Sequence, residues 1–283
     1  MAGDQAYDRQ KPDDVCGHFL TGLGRGVAGA LLFALPMFMT MEMWALGFSV
    51  DRFRLLLLLV LNIPLLVLLA HRLGFEETFS WREDLRDAMI AYAIGIFTSA
   101  IALLVIGVIE GGVSPARMAA SIALQAVPAS IGAMLGRSQL NGEDDDQDED
   151  EHETGYAGEV FMMMVGALFL SLNVAPTEEV ILIAYKMTPW HGVAVILISI
   201  AVMHGFVYAL SFKGGHELEP QTPWWHGFVR FTLPGYVVAV LVSLYCLWTF
   251  DQLADTAAPQ ILMKVIVLSF PGAIGAAAAR LIL

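Results

Sequence analysis

The chain alternates long apolar runs with short polar connections, and eight of the runs are long enough to cross a bilayer. A transmembrane helix needs about 20 apolar residues at a rise of about 1.5 Å per residue. The runs of sufficient length lie at residues 25–47, 54–71, 86–109, 115–136, 158–183, 191–211, 228–250 and 260–282. The pattern therefore predicts an all-α polytopic membrane protein with eight transmembrane helices.

The composition supports this prediction and excludes a soluble globular domain. Hydrophobic residues make up 57% of the chain and charged residues only 15%, whereas a soluble domain carries about 25% charged residues. The mean hydropathy is +0.65. The formal net charge of −13 says little about partners, because nine of the acidic residues lie within residues 143–153. We expect the lipid bilayer and cations as partners, and no nucleic acid.

An acidic stretch divides the chain into two halves of four runs each. Residues 141–155 contain no apolar side chain, so they can bury nothing to offset the entropy of ordering, and we expect them to be disordered. The predicted organisation is a cytoplasmic N-terminal segment at 1–24, a first four-helix repeat at 25–137, an acidic linker at 138–156 and a second four-helix repeat at 157–283.

The basic residues predict the orientation of the spans. Ten Lys and Arg residues lie on the side that holds both termini and the linker, and five lie on the opposite side. Cytoplasmic loops carry an excess of Lys and Arg. The count therefore places both termini and the acidic linker in the cytoplasm.

The first apolar run recurs 137 positions later. Residues 29–44 read GALLFALPMFMTMEMW, and residues 166–180 read GALFLSLNVAPTEEV. At this offset Thr40 corresponds to Thr177 and Glu42 to Glu179. Later spans also correspond, at offsets of 143 and 144. Because each half has an even number of spans, we predict two parallel repeats with a site between them.

Each copy carries a carboxylate and a proline within an apolar run, which is the pattern that we interpret as an ion site. A charged side chain at the centre of a transmembrane helix costs roughly 2.5–3.5 kcal/mol on insertion scales. A proline removes a backbone donor and frees a carbonyl one turn earlier. We therefore predict that Glu42 and Glu179 are paired ion ligands and that Pro36 and Pro176 are the helix breaks.

Other oxygen-bearing side chains accompany the paired acids. Thr40, Thr177, Asn173 and Glu178 are expected to be auxiliary ligands. Carboxylate, hydroxyl and carbonyl oxygens are the donors that hard cations prefer. The predicted metal ligands are Glu42, Glu178 and Glu179, with Ca²⁺ or another cation as a transported ion rather than a cofactor. Alternatively, the acids simply reach the membrane interface, and the threonines bond back to the preceding turn.

Three further polar residues have both a functional and a structural interpretation. Glu110 and Asp251 could form an acidic outer vestibule that concentrates cations, or they could be ordinary charges at helix ends. His204 could be a proton relay, since imidazole titrates near neutrality, or it could donate a structural hydrogen bond between helices.

The eight-span layout, the first-helix sequence GALLFALPMFMTMEMW and the later NVAPTEEV resemble a bacterial family of predicted multi-pass membrane proteins of unknown function. The resemblance covers both halves and omits the N-terminal segment and the linker. It implies a bacterial inner-membrane location and supplies no activity. A looser similarity links the paired acids to cation/proton exchangers, but the repeats of those proteins are inverted and their full signature is absent here.

Cation transport, by a channel or a proton-coupled carrier, is the function that these patterns favour. The chain has no nucleophile motif, no P-loop and no His-Glu-x-x-His, so we do not expect an enzyme. A membrane sensor or scaffold that uses the acidic linker is the first alternative. A lipid-modifying enzyme with Glu42 and Glu179 as acid and base is the second. The ion and the oligomeric state stay open, a homo-oligomer included.

Overall fold

The computed structural model describes residues 12–73, 81–110, 112–139, 156–209 and 227–282. Within these ranges the chain forms ten α-helices and a π-helical turn (Phe228–Thr232) that leads into the ninth helix. The helices are α1 (Pro12–Phe38), α2 (Met41–Ser49), α3 (Arg52–Leu73), α4 (Trp81–Val105), α5 (Pro115–Gln139), α6 (Tyr156–Val174), α7 (Glu178–Lys186), α8 (Pro189–Ala209), α9 (Leu233–Thr249) and α10 (Ala258–Ile282). Residues 1–11 of the predicted N-terminal segment and most of the predicted acidic linker lie outside the described residues.

In the part of the chain that the structure describes, eight helical segments are long and apolar enough to cross a membrane, each with a span of 18 to 25 residues. They are α1, α3, α4, α5, α6, α8, α9 together with its π-helical turn, and α10. At about 1.5 Å per residue these lengths match a hydrocarbon layer about 30 Å thick. The prediction of an all-α polytopic protein with eight transmembrane helices is confirmed.

The first and fifth spans, which the sequence predicts at 25–47 and 158–183 with helix breaks at Pro36 and Pro176, are each interrupted in the structure. The helix α1 ends at Phe38 and α2 begins at Met41, while α6 ends at Val174 and α7 begins at Glu178. The remaining six spans agree with the structure within five residues at either end. Hydropathy reports where apolar residues lie, and it does not report where the backbone leaves the helical conformation.

Proline alone does not cause these interruptions. Pro64, Pro128 and Pro271 lie inside α3, α5 and α10, and none of them ends its helix. Both breaks also carry a threonine in the extended conformation, with φ −98° and ψ 126° at Thr40 and φ −79° and ψ 144° at Thr177. Threonine is β-branched, which lowers its helix propensity slightly, so the combination with proline favours a break.

The last helix of each half is the one around which the others pack. In the first half α5 contacts α1, α2, α3 and α4, and in the second half α10 contacts α6, α7, α8 and α9. The span of α5 is 72% buried and that of α10 is 56% buried, more than the span of any other helix. The order of partners is the same in both halves, and the two-repeat arrangement itself stays a prediction from the sequence.

Glycines bring the first and last helices of each half into backbone contact. A Cβ atom added at Gly29 of α1 would overlap the backbone of Gly132 and Gly136 of α5. A Cβ added at Gly166 of α6 would overlap the carbonyl of Gly275 of α10 in the same way. Small residues at such contacts allow close packing, which is a main source of helix association in lipid.

The two halves meet along α1 and α6. The rings of Phe33 and Phe169 lie 4.6 Å apart between centroids, and α5 and α3 add contacts to α6 and α9. At the end of the bundle where α3 begins, the Arg54 guanidinium lies 5.1 Å from the centre of the Trp248 ring. The interface therefore has an apolar centre and a polar contact at one end.

Candidate functional site

The break in the first half is closed by hydrogen bonds from side chains. Thr40 Oγ1 donates to the carbonyl of Met37 at 3.0 Å, and Trp44 Nε1 donates to the carbonyl of Phe38 at 2.8 Å. The amide of Met39 donates to the carbonyl of Leu35 at 3.1 Å. These carbonyls at the end of α1 therefore already accept a hydrogen bond, and a carbonyl oxygen with one such bond retains a second lone pair.

The break in the second half repeats this arrangement. Thr177 Oγ1 donates to the carbonyl of Val174 at 2.8 Å, which is the same relation, three residues back, that Thr40 has with Met37. The hydroxyl hydrogens of both threonines are thus committed to the preceding turn, as the structural interpretation predicts. Their oxygens keep lone pairs, so an auxiliary ligand role stays a prediction.

The prolines lie at different points of the two breaks. Pro176 lies inside the interruption between Val174 and Glu178. Pro36 lies within α1, and the helix continues to Phe38 before it ends. The second break is therefore made at its proline, whereas the first is made three to four residues after it.

Both breaks lie beside the middle of the central helix of their half. On one side of the first break Phe33 lies against Gly132 of α5, and on the other side Gly47 lies against Ser121. The break therefore faces the part of α5 between Ser121 and Gly132, which is the middle of its span. An interruption at such a depth is tolerated only where protein or a water-filled cavity covers the backbone.

The second break has the same position along α10. Ser171 of α6 lies against Gly272, and the ring of Tyr185 of α7 lies 5.9 Å from Lys264 Nζ. The residues between α6 and α7 therefore face α10 between Gly272 and Lys264, in the middle of its span.

The three predicted metal-binding acids begin the short helices that follow the breaks. Glu42 is half-buried in the first turn of α2. Glu178 and Glu179 are exposed at the protein surface in the first turn of α7. Because α2 packs against α5 and α7 packs against α10, each acid belongs to its own half, and the pairing of Glu42 with Glu179 stays a prediction.

No group of three or more His, Cys, Asp or Glu side chains that could hold a metal ion occurs in the described ranges. A ready-made three-carboxylate cluster is therefore absent from that part of the chain. The acids lie at helix N-termini, where the helix dipole favours negative charge. Any ion held at a break would combine a carboxylate with neutral oxygens.

Asn173 supplies one neutral oxygen beside the second break. Its Nδ2 donates to the carbonyl of Phe169 at 2.7 Å, while its Oδ1 is buried without a hydrogen-bond partner in the structure. An unpartnered buried carbonyl oxygen is a group that calls for a ligand or a water. The prediction that Asn173 is an auxiliary ligand is compatible with this geometry.

The residues predicted to form an outer vestibule have different surroundings. Glu110 is exposed beyond the end of α4. Asp251 forms a salt bridge with Arg54, and its φ of 63° places it in the left-handed region. Because Arg54 offsets the charge of Asp251, Glu110 contributes more to the negative potential expected at this end of the bundle than Asp251 does.

His204 takes part in a hydrogen bond between helical segments. Its Nδ1 lies 3.0 Å from Thr232 Oγ1, and its ring meets the ring of Phe228 edge-on at 5.3 Å. This arrangement matches the structural interpretation of His204. A proton relay through the same imidazole stays a prediction.

Two buried polar residues beside the breaks were not selected from the sequence. Gln125 of α5 is 0% exposed, and Lys264 of α10 is 4% exposed. Lys264 Nζ donates to the carbonyl of Gln252 at 2.7 Å and to Thr256 Oγ1 at 3.0 Å. The available signal is a single amide or ammonium inside an apolar run, and Lys264 is one of the five basic residues that the sequence places on the side opposite the termini and the linker.

Comparison with known proteins identifies a family. Residues 22–283 match the sequence model of the family described as "Putative integral membrane protein (DUF2391)". No curated protein and no solved structure matches the chain. The match covers both halves, as the resemblance in the sequence predicts. The chain therefore belongs to the DUF2391 family of integral membrane proteins.

Proposed function

We propose that this protein transports a cation across the membrane at the two helix breaks. The observation that supports the proposal is the correspondence between the breaks. Each interrupts the first long helix of its half, each faces the middle of the central helix, and each carries a threonine and a glutamate at matching positions. Discontinuous helices near the bilayer midplane form the substrate sites of many transporters.

The chemistry of the breaks favours a cation over an anion. Glu42 and Glu179 supply negative charge just after breaks that face the middle of the central helices, and intramembrane acids mark ion and proton pathways. Thr40, Thr177 and Asn173 supply neutral oxygens. Because hard divalent cations prefer such oxygen ligands, the proposal favours a divalent ion such as Ca²⁺ or a proton-coupled exchange.

The second break is followed by one more acidic residue than the first. Glu178 precedes Glu179, whereas Met41 occupies the corresponding place before Glu42. Two carboxylates at the second break supply more negative charge for a cation than the single Glu42 supplies at the first. The extra acid supports a carrier that binds its ion at the second break.

Orientation follows from the basic residues. We place the protein in a bacterial inner membrane with both termini in the cytoplasm, because ten of its 15 basic residues lie on that side. In this orientation a cation that enters from outside reaches the short helices α2 and α7 before the breaks.

Ion flux into proteoliposomes tests the proposal. Purified protein is reconstituted, and uptake of Ca²⁺, Mg²⁺, K⁺ and Na⁺ is measured for the wild type and for a variant with Glu42→Gln and Glu179→Gln. The matched control is Glu83→Gln, a half-buried acid in the first turn of α4. We expect flux of at least one cation in the wild type and the control, and none in the double variant. Wild-type flux no greater than that of empty liposomes would overturn the proposal.

A further inference from the structure

One face of α5 is directed at the broken helix of the first half. Successive residues of a helix are rotated by about 100°, so Ser121, Gln125, Gly132 and Gly136 all lie within about 60° of one another. Ser121 contacts α2 at Gly47, while Gly132 and Gly136 contact α1. Gln125 lies on the same face between these contacts, and it therefore faces the break between α1 and α2.

The polar groups on this face have no hydrogen-bond partner. Gln125 is 0% exposed, and neither its Oε1 nor its Nε2 has a partner in the structure. Ser121 is 1% exposed, and its Oγ also lacks a partner. Since Ser121 and Gln125 are four residues apart on a helix, their side chains are neighbours. Three buried polar atoms, the Oε1 and Nε2 of Gln125 and the Oγ of Ser121, therefore lie on one helix face without hydrogen-bond partners.

Packing does not require a polar residue at position 125. At the offset of 143 that relates the fourth and eighth spans, Gln125 corresponds to Leu268 and Ser121 corresponds to Lys264. Leu268 is 0% exposed on the equivalent face of α10. Leucine and glutamine have similar volumes, so an apolar residue would fill the space without leaving unpaired polar atoms.

In the second half, the position that corresponds to Ser121 is occupied by Lys264, which carries a positive charge. The Lys264 ammonium is bound by a carbonyl, a hydroxyl and the face of an aromatic ring, which together form a cation site. In the first half, the Arg117 side chain is exposed and its guanidinium lies 5.8 Å from the centre of the Phe48 ring. The position of Ser121, which corresponds to Lys264, thus holds a neutral hydroxyl where the second half holds a charge.

We propose that Gln125 and Ser121 form a binding site for a metal cation beside the break in the first half. The cation takes Gln125 Oε1 and Ser121 Oγ as ligands. Glu42 begins the short helix α2, whose Gly47 contacts Ser121, and we assign the negative charge that accompanies the cation to its carboxylate. The inference rests on the proposed function in treating the bound ion as the transported one, and it assigns no such site to the second half.

Thermal unfolding of the purified protein in detergent tests the site without any measurement of transport. The unfolding temperature is measured in NaCl, KCl, MgCl₂ and CaCl₂, with choline chloride holding ionic strength constant. The variants are Gln125→Leu and the more flexible Gln125→Met, and the control is Leu268→Gln on the equivalent face of α10. At ten times the dissociation constant we expect one cation to raise the wild-type unfolding temperature by about 3–5 °C.

The Gln125 variants and the Leu268→Gln control should differ in how their unfolding temperatures respond to the cation. In choline, Gln125→Leu and Gln125→Met should unfold at the wild-type temperature or above it, and the rise caused by the cation should disappear. Leu268→Gln should lower the unfolding temperature and keep the cation-dependent rise. A rise in both Gln125 variants equal to that of the wild type, or no rise with any cation in the wild type, would overturn the site.

These outcomes are separable from those of the flux experiment. A rise that depends on Gln125 in a protein without flux would refute transport and retain the site. Flux that depends on Glu42 and Glu179 without any rise that depends on Gln125 would retain transport and refute the site.

Discussion

Arg54 and Asp251 join the two halves of the bundle at one end. The Arg54 guanidinium, at the start of α3, donates to the carboxylate of Asp251 and, at 2.8 Å, to the carbonyl of Trp248. It also lies over the ring of Trp248 at 5.1 Å. One side chain of the first half therefore makes three different contacts with the turn that ends α9.

These contacts predict unequal effects for the two partners. Asp251→Asn should lower the free energy of unfolding by less than about 1 kcal/mol, because the pair is partly exposed and asparagine tolerates the positive φ. Arg54→Ala also removes the hydrogen bond to Trp248 and the ring contact, so we expect a loss of about 1–2 kcal/mol. Equilibrium unfolding in mixed detergent micelles measures both, and equal losses would contradict the assignment of the three contacts.

The matched threonine hydrogen bonds predict matched losses of stability. Thr40→Val and Thr177→Val keep the shape of the side chain and remove the bond to the carbonyl of Met37 or Val174. Each should cost about 1 kcal/mol in unfolding free energy. Thr40→Ser and Thr177→Ser are the controls, because serine retains the hydroxyl. A valine variant as stable as its serine counterpart would show that the hydrogen bond contributes nothing at that break.

The glycine contacts predict which glycine substitutions destabilise the helix bundle. Gly29→Leu and Gly166→Leu place a side chain against the backbone of α5 or α10. Because backbone cannot move aside as a side chain can, we expect a loss of about 3 kcal/mol or more and little folded protein. Gly24→Leu and Gly205→Leu are the controls, since nothing lies within 4 Å of a Cβ added at either position.

Size-exclusion chromatography after detergent extraction measures these variants. The controls should elute as the wild type does, while Gly29→Leu and Gly166→Leu should aggregate or fail to accumulate. Normal elution of either variant would mean that α1 and α5, or α6 and α10, are not packed through their glycines.

The acidic linker separates transport from a scaffold role. Deletion of residues 143–153 removes nine acidic side chains from a segment that contributes no apolar run to the bundle. If the function is transport at the helix breaks, the deletion should leave the flux per folded molecule within about twofold of the wild type, since physiological salt screens solvated charges beyond a Debye length of about 8 Å. Loss of flux with retained folding would instead assign the linker an essential role.

The sequence predicted the spans well because lipid imposes one simple requirement. Every backbone polar group in the hydrocarbon layer must be satisfied within its own helix, so length and hydropathy suffice to find the eight helices. The same measure could not find the break after Phe38, because Met39 and Met41 are as apolar as helical residues. Pro36 indicates a break in this span but lies three to four residues before it, because α1 continues through the proline to Phe38, as α3 and α5 continue through Pro64 and Pro128.

The candidate site was predicted in part for a different reason. Thr40 and Glu42, with their counterparts in the second half, stood out because they recur. Gln125 does not recur, since Leu268 takes its place, and a lone amide in an apolar run carries no mark of its role. Gln125 became a candidate ligand only because it lies on the face of α5 that contacts α1 and α2 on either side of the break. That contact depends on helix packing, which sequence spacing does not reveal.

The central claim is that Glu42 and Glu179 act on the same ion, and the fluxes of the two single variants and the double variant test it most directly. If the ion needs both carboxylates, Glu42→Gln and Glu179→Gln should each lower the flux by about tenfold or more, and the double variant should be little worse than either, which is the non-additivity expected of coupled residues. Single variants that each retain about half of the wild-type flux, with none left in the double variant, would contradict the claim and indicate two independent pathways.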